Sequence, residues 1–315
     1  MQTPILTTRP RRHTLPIPAL KGARREAVFG YLFISPWIVG FLALQLGPMF
    51  ASLGISLTDW TLLDPPHYIG LDNYRRIADD PLFVKSLRVT ATYTFISVPC
   101  GVVLALLIAS LLNRTVRGIS FFRGLFYLPV VVTGVGTAVV WDWVFNPEYG
   151  ILNSLLSLIG VEGPGWLSST TWALPAMIII SFWGIGGAVV VFLAALQGVP
   201  RSLYEAAMID GAGRLSLFWN VTVPMVSPAI LFNTIIAVIA SFQAFTYAYV
   251  LTEGRGSPAY STLFYVLYLY QNAFRWFDMG YASALAWILF LIIISCTLLL
   301  LRLSRPYVHY EGATR

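Results

Sequence analysis

Two long stretches without a charged residue constrain what this chain can fold into. Residues 89–113 form one stretch of 25 residues between Arg88 and Arg114, and residues 279–301 form another of 23 between Asp278 and Arg302. A helix needs about 20 apolar residues to cross a bilayer, so each stretch is long enough alone. With 11% charged residues and a mean hydropathy of +0.73, the composition is that of an integral membrane protein.

Four further apolar stretches complete the pattern and predict an all-α integral membrane protein with about six spans. The third span is the shortest, because Asp142 limits its uncharged core to the 18 residues from 124 to 141. We predict a cytoplasmic basic tail over 1–27, a transmembrane domain over 28–304 and a second cytoplasmic tail over 305–315. The predicted spans cover residues 28–57, 88–112, 122–145, 172–196, 226–251 and 279–301.

Basic residues are distributed unevenly between the predicted loops. Fourteen Lys and Arg residues lie in the tails and in the loops after spans two and four, whereas six lie in the remaining loops. Because cytoplasmic segments carry the excess of Lys and Arg, both termini and the loop after span four are predicted to be cytoplasmic. No aromatic or basic module accompanies the basic tail, so nucleic-acid binding is not predicted.

Several kinds of chemistry lack the residues they require. Cys100 and Cys296 both fall inside predicted spans, and His13, His67 and His309 have no acidic or cysteine neighbour at metal-ligand spacing. A phosphate-binding loop needs Gly-Lys followed by Ser or Thr, and neither lysine of the chain follows a glycine. We therefore predict no catalytic residues, no metal and no cofactor in this chain, and expect any ATP to be bound by another protein.

The stretch "YEAAMIDGAGRLSLFWNVTVPMVSP", residues 204–228, is a compact polar interruption of an otherwise apolar chain. Ser202 and Glu205 match the Ser-x-x-Glu capping box, which predicts a short helix running toward Gly211. A second short element is predicted over 215–221, and Pro224 and Pro228 mark the entry to the fifth span. On these residues alone, the stretch is either a docking surface for another protein or an ordinary capped loop.

The spacing within this stretch resembles the EAA motif of binding-protein-dependent ABC importers. Glu205-Ala206-Ala207 is followed after three residues by Gly211 and, after nine more, by Val221-Thr222-Val223-Pro224, with Val in place of the usual Ile and Leu. The segments "IDGAG" (209–213), "SLTDW" (56–60), "GLDNYRRI" (70–77) and "FFRGLFYLPVVV" (121–132) are similar to those of the carbohydrate-uptake branch, which includes the maltose permease. The resemblance runs from about Tyr31 to Ser304.

This resemblance implies a permease subunit in a bacterial or archaeal cytoplasmic (inner) membrane. The implied partners are a second homologous permease chain, two ATP-binding subunits that hold ATP and Mg²⁺, an extracytoplasmic solute-binding protein, a carbohydrate substrate and membrane lipid. The EAA loop would couple the permease to the ATPases. The residues carried over for that role are Glu205, Ala206, Ala207, Asp210, Gly211 and Pro224. The chain lacks the large inserted outward domain of the maltose permease, so that protein's sugar contacts are not carried over.

Polar residues in the fifth span are candidates for the translocation path. On a continuous helix Asn233, Gln243 and Tyr247 fall within an arc of about 80°. Amide and phenol groups can hydrogen-bond to sugar hydroxyls, yet such residues also hydrogen-bond between helices, and both interpretations remain open. The segment "WGIGG" at 183–187 predicts close helix packing, with a flexible gate as the alternative.

Two other functions are weighed against sugar import. A glycerol 3-phosphate permease would need basic groups along the path, and the predicted spans carry basic residues only at their ends, Arg88 and Arg123. A secondary transporter typically shows two related halves or an acidic residue at the membrane midplane, and neither is visible in the sequence.

Overall fold

The computed structural model describes residues 20–114, 116–132 and 134–308. Within these ranges the regular structure is helical, apart from one isolated bridge between Thr58 and Tyr68. The predicted all-α fold is confirmed.

The α-helices are α1 (Leu20–Phe41), α2 (Gly47–Ile55), α3 (Asp72–Asp79), α4 (Pro81–Leu112), α5 (Ile119–Val131), α6 (Val135–Val144), α7 (Ile151–Leu158), α8 (Ala173–Trp183), α9 (Gly186–Gly198), α10 (Arg201–Ile209), α11 (Arg214–Leu217), α12 (Val223–Met225), α13 (Ser227–Phe242), α14 (Thr246–Leu251), α15 (Tyr265–Tyr270) and α16 (Met279–Ser304). Three π-helical segments lie at Leu42–Leu46, Phe218–Thr222 and Gln271–Arg275.

The chain forms two compact units, residues 1–54 and 55–315. The first unit consists, where described, of α1, a π segment and α2 in one helical stretch. Its most apolar window contains no buried residue. Residues 1–19 of the predicted tail lie outside the described part of the chain, and so do residues 309–315. Because α1 begins at Leu20, residues 20–27 of the predicted tail are helical.

Two of the π segments each end two residues before a proline, Pro48 and Pro224. A proline inside a helix has no N–H to donate, and its ring collides with the carbonyl group four residues earlier. Widening the preceding turn by one residue moves that carbonyl, and the N–H of Gly47 then bonds to Leu42 and that of Val223 to Phe218. The chain therefore stays helical through both prolines, and α12 ends only at Met225.

Among the described residues, four helical stretches are long and apolar enough to cross a membrane: Arg24–Ile55, Pro81–Leu112, Ser227–Leu251 and Met279–Ser304. Two bent helix pairs, α5 with α6 and α8 with α9, bring the number to six if each pair is one span. Helix α4, which contains the second predicted span, begins at Pro81, seven residues before that span. It begins there because Asp80 caps it by accepting a hydrogen bond from the N–H of Leu82 at 2.8 Å.

The third and fourth predicted spans, 122–145 and 172–196, are not continuous helices. Helices α5 and α6 meet at 104°, and α8 and α9 at 47°. Gly134 precedes α6 with φ 74° and ψ −131°, a conformation that only glycine adopts readily. Gly184 and Gly186 bracket the second bend, where low helix propensity favours a break. The fifth predicted span, 226–251, is also interrupted, between α13 and α14.

Helix α4 is the centre of the second unit. It packs against α8, α9, α13 and α15, while α13 also packs against α16. One hydrophobic cluster joins α4 to α8, α13, α15 and α16, with Tyr265, Leu267 and Leu285 fully buried. A second cluster joins α4 to α9 and includes the fully buried Phe192. Helix α4 therefore positions both halves of this unit.

Gly186 is the point of closest approach between α9 and α5. A Cβ placed there would overlap the backbone carbonyl of Phe126 and contact the Val130 side chain at 3.0 Å. The next residue, Gly187, has no atom within 4 Å of the same position. Within "WGIGG", the predicted close helix packing therefore occurs at Gly186. It explains why a small residue stands at that position.

Polar groups tie the segment after α2 to the first turns of α3 and α16. Asn73 donates to the carbonyl oxygens of Ser56 and Thr58 at 2.9 and 2.8 Å, and the N–H groups of Met279 and Gly280 both bond to Trp60. Two of the segments on which the family resemblance rests, "SLTDW" and "GLDNYRRI", therefore have a structural role, because these bonds hold the junction together.

A carboxylate cluster lies beside this junction. The hydroxyl groups of Tyr268 and Tyr281 both donate to Asp80, while Arg76 forms an ion pair with Asp278 at 2.6 Å and lies 4.2 Å from the Tyr281 ring centre. Burial raises the pKa of Asp80, but the two hydroxyl donors and backbone N–H groups outweigh it and leave the pKa below its ordinary value. Burial and the bond to Asp80 raise the pKa of Tyr268 to about 12.

Replacing Gly186 with Ala should lower thermal stability, because the added methyl group forces α5 and α9 apart. Overpacking of this kind costs about 1 to 3 kcal/mol. Gly187→Ala is the matched control and should leave the melting temperature in detergent unchanged or slightly raised. Equal melting temperatures for the two variants would contradict close packing at Gly186.

Replacing Asp80 with Asn should destabilise the protein at neutral pH by about 1 to 2 kcal/mol, since two donors lose a charged acceptor that is partly exposed. The lowered pKa means that this stabilisation is complete above the ordinary value of 3.8 and is lost as pH falls through the folded pKa. The variant should therefore show a smaller loss of stability on acidification than the parent chain. Asp79→Asn changes an exposed neighbour and is the control. Its melting curves should match those of the parent chain both at neutral pH and after acidification.

Candidate coupling loop and translocation path

Helix α10 carries the Glu-Ala-Ala sequence and begins at Arg201. Pro200 precedes it with φ −60° and ψ 130°, an extended conformation that the proline ring favours. Ser202 is the second helical residue, and no side chain caps this helix start, so the predicted Ser202–Glu205 capping box is wrong. The proline, rather than a serine cap, sets where the helix starts.

The end of α10 is a Schellman motif built on Gly211. Its φ is 85°, as predicted for a helix-terminating glycine. The N–H of Gly211 bonds to Met208 at 3.0 Å and the N–H of Ala212 bonds to Ala207 at 2.9 Å, which satisfies carbonyl groups that the helix leaves free. Asp210 occupies the cap position. The turn direction after α10 therefore depends on a left-handed backbone at Gly211.

One side of α10 is open. Glu205 and Ala206 are exposed, Ala207 is half-buried, and the apolar side chains of Met208 and Ile209 are also exposed, the latter by 86%. An exposed isoleucine beside small alanine residues suits close contact with another protein surface.

The other side of α10 is anchored to the segment that enters α13. Tyr204, like Phe218 and Val223, packs against the second hydrophobic cluster, and its hydroxyl lies 3.1 Å from the Thr222 hydroxyl. Pro224 follows in α12, and the buried Val226 leads directly into α13. The sequence analysis did not identify Tyr204 or Thr222 as functional residues, although Thr222 lies inside the quoted motif.

A cavity of about 540 Å³ lies between α4, α8, α9, α13 and α14. Asn233 and Tyr247 line it, as the path prediction requires, and Asn233 is fixed by a 2.9 Å bond from its amide to the carbonyl of Ala229. The other polar lining groups are Tyr93, Ser97, Ser181 and Ser241.

Gln243 does not lie among the residues that line this cavity. Helix α13 ends at Phe242, and Gln243 is exposed in the interruption before α14. The predicted common arc of Asn233, Gln243 and Tyr247 assumed one continuous helix, so that arc is wrong. Residues 243–245 interrupt the helical rotation that would relate the first residue to the last.

The structure adds lining residues from α4 that the sequence analysis missed. Tyr93, Ser97 and Gly101 line the cavity at four-residue spacing, so they occupy one face of the helix. That spacing inside an uncharged span was a usable signal. Ser181, on α8, had no such pattern around it.

A model of the family described as "Binding-protein-dependent transport system inner membrane component" matches residues 91–308. The matched range includes α10, Gly211 and all of the residues that line the cavity. This chain belongs to that family. It is a permease of the ABC transporter type.

Relatives of the permease match along nearly their whole length. The Bacillus subtilis protein named "Probable ABC transporter permease protein YesP" is 41% identical over 295 residues, covering 93% of this chain and 95% of the relative. The trehalose/maltose transport system permease protein MalF of Thermococcus litoralis is 32% identical over 89% of this chain and 95% of its own.

A solved structure shares the permease fold. One chain of a bacterial ABC transporter involved in import of the acidic polysaccharide alginate matches with a TM-score of 0.79 at 23% identity, covering 92% of this chain and 99% of that one. At this identity the likeness concerns the fold alone. It agrees with a multi-pass helical membrane protein.

Proposed function

We propose that this permease forms part of the translocation path for a sugar in an ATP-driven importer of the cytoplasmic (inner) membrane. A second homologous permease chain completes the path, two partner subunits bind and hydrolyse ATP with Mg²⁺, and an extracytoplasmic solute-binding protein delivers the sugar. The name of the Thermococcus litoralis relative, a trehalose/maltose permease, supports a carbohydrate substrate.

The chemistry of the cavity is the observation that carries this proposal. Its lining combines an amide, hydroxyl groups and aromatic rings, and none of its lining residues is charged. Amide and hydroxyl groups can exchange hydrogen bonds with sugar hydroxyls, and aromatic faces can pack on the apolar faces of a sugar ring. A glycerol 3-phosphate substrate would favour Arg or Lys in the lining, so the cavity favours a neutral sugar over that alternative.

Coupling to ATP hydrolysis is proposed to run through α10. A partner that binds α10 differently in its two nucleotide states can bias the permease only through contacts that differ between those states. The contact between Tyr204 and Thr222, and the shared packing of Tyr204, Phe218 and Val223 on the second hydrophobic cluster, transmit a displacement of α10 to the entry of α13. Asn233 lies in the second turn of that helix, at the cavity wall.

Replacing Gly211 with Val should weaken or uncouple the ATPase subunits. The space around Gly211 is open, so the variant acts through its backbone, which costs about 1 to 3 kcal/mol when a β-branched residue is held at positive φ. If the free energy of docking to the ATPase subunits falls by this amount, their association with the permease becomes roughly 5- to 150-fold weaker. Glu205→Lys should also reduce association by reversing a charge on the exposed face. The measurement is co-purification of the ATPase subunits together with substrate-stimulated hydrolysis in proteoliposomes.

Gly211→Asn is the matched control, because Asn tolerates the left-handed conformation better than other non-glycine residues. It should retain most association and stimulated hydrolysis. If Gly211→Val and Glu205→Lys both keep normal association, stimulation and uptake, α10 is not the coupling helix.

Replacing Asn233 or Tyr247 with Leu should lower uptake while complex assembly and basal ATP hydrolysis persist. Each change removes hydrogen-bonding groups from the cavity wall and keeps an apolar side chain there. Thr234→Leu is the control, because Thr234 neighbours Asn233 but lies outside the cavity. The measurement is uptake by proteoliposomes with the solute-binding protein present.

Gln243→Leu tests how far the path extends. Unchanged uptake would confine the path in this chain to the cavity, and reduced uptake would extend it to the exposed break between α13 and α14. Loss of assembly in both Asn233→Leu and Tyr247→Leu would instead assign these residues to contacts between helices.

A further inference from the structure

Helix α7 lies in the segment that connects the two bent helix pairs. It contains eight residues, so it is about 12 Å long and far too short to cross a bilayer. Six residues separate it from the end of α6, and α6 and α7 are in contact. The helix is therefore held close to the end of a membrane-crossing segment.

Contacts along one side fix α7 to the second unit. Leu152 and Leu156 pack against the hydrophobic cluster that joins α4 to α8, α13, α15 and α16. The amide of Asn153 donates to the carbonyl oxygens of Pro147 and Pro164 at 3.1 and 3.3 Å and accepts from the Trp166 indole at 2.7 Å. The orientation of the helix about its own axis is set by these contacts.

A different side of α7 presents large apolar residues without covering. Ile151, Leu155 and Leu158 are exposed by 62, 56 and 81%. At 100° per residue they fall within about 60° of arc, so they form one stripe. Ile159, which follows the helix, is also exposed. A stripe of this kind is unfavourable in water and indicates contact with an apolar environment.

The remaining side of α7 is polar. Ser154 and Ser157 line an open groove of about 570 Å³ together with Asn153 and the carboxylates of Glu148 and Glu162. Two carboxylates at the edge of a groove require water. An apolar stripe and a water-facing groove on one short helix are the arrangement of a helix lying in a membrane–water interface.

Exposed aromatic residues flank α7 in the chain and point to the same level. Trp143 lies near the end of α6, Tyr149 stands two residues before α7, and Trp172 directly precedes α8. Tyr and Trp concentrate where membrane spans meet water. The two ends of the connecting segment therefore lie at the interface, and α7 is held between them.

We propose that α7 is an interfacial helix whose stripe of Ile151, Leu155 and Leu158 is inserted among lipid headgroups and the adjoining acyl chains. The groove lined by Ser154 and Ser157 faces water. Interfacial helices place their apolar face about 5 to 10 Å into this boundary. The helix then fixes the depth of the end of α6, which packs against α14, and of the start of α8, whose other end lines the cavity. This inference rests on the membrane location of the family and not on the identity of the sugar.

Spin-label accessibility in the assembled importer, reconstituted in lipid nanodiscs, tests the proposal. Cys100 and Cys296 are first replaced by Ala, and uptake by this background is verified. Single cysteines at Leu155 and Leu158 report on the stripe, and Ser154→Cys and Ser157→Cys are the matched controls on the groove. Relaxation by oxygen, which concentrates in lipid, is compared with relaxation by a water-soluble nickel chelate.

Oxygen should dominate at positions 155 and 158, and the nickel chelate should dominate at 154 and 157. Dominance of the nickel chelate at 155 and 158 would show a stripe facing water and would overturn the proposal. Protection of both positions from both reagents would show that a protein subunit covers the stripe, which also overturns it. If a labelled variant fails to assemble, Ile151→Cys reports on the same stripe.

Discussion

Every backbone N–H and C=O group inside a bilayer must find its partner within the protein, and the rest of this structure depends on that constraint. It explains the all-α fold, and it also explains how the chain treats its helix breakers. Before Pro48 and Pro224 the helix widens into a π turn, so the N–H groups of Gly47 and Val223 reach carbonyls one residue further back. At the two bent helix pairs glycines occupy or border the break, as Gly134 does before α6 and Gly184 and Gly186 do around the bend between α8 and α9.

The two ends of the second unit use different chemistry to hold their helices. Where α4 and α16 begin, charged and polar groups meet: Asp80 accepts from two tyrosine hydroxyls, and Arg76 pairs with Asp278. This end joins α3, α4, α15 and α16 through interactions that are individually directional. At the α10 end the contacts are mostly apolar, with one hydroxyl contact between Tyr204 and Thr222. Apolar packing allows small sliding shifts at lower cost than a network of directional bonds, so movement is expected to be easier at the α10 end.

Helix α13 connects the proposed coupling helix, α10, with the proposed path. Its entry contacts α10 through the segment that contains Thr222 and Pro224, and its second turn carries Asn233 at the cavity. A single helix that touches both sites is the simplest way for a partner on α10 to influence the cavity wall. After the interruption between Phe242 and Thr246, Tyr247 on α14 lines another part of the same wall.

The sequence by itself determined the membrane class, the approximate positions of most spans and the left-handed turn at Gly211, because these depend on local composition and spacing. It also selected Asn233 and Tyr247, which line the cavity, since polar groups stand out in an apolar span. It was wrong about the Ser202–Glu205 capping box, where Pro200 already supplied the helix start, and about the common helical arc of Asn233, Gln243 and Tyr247. The bends within the third and fourth spans were not predicted. The cavity itself was decided by tertiary structure, because Tyr93 and Ser181 reach it only through the packing of α4 against α8. The position of Gln243 was decided in the same way: whether a helix continues past Phe242 depends on what the chain packs against beyond it, and no local pattern records that.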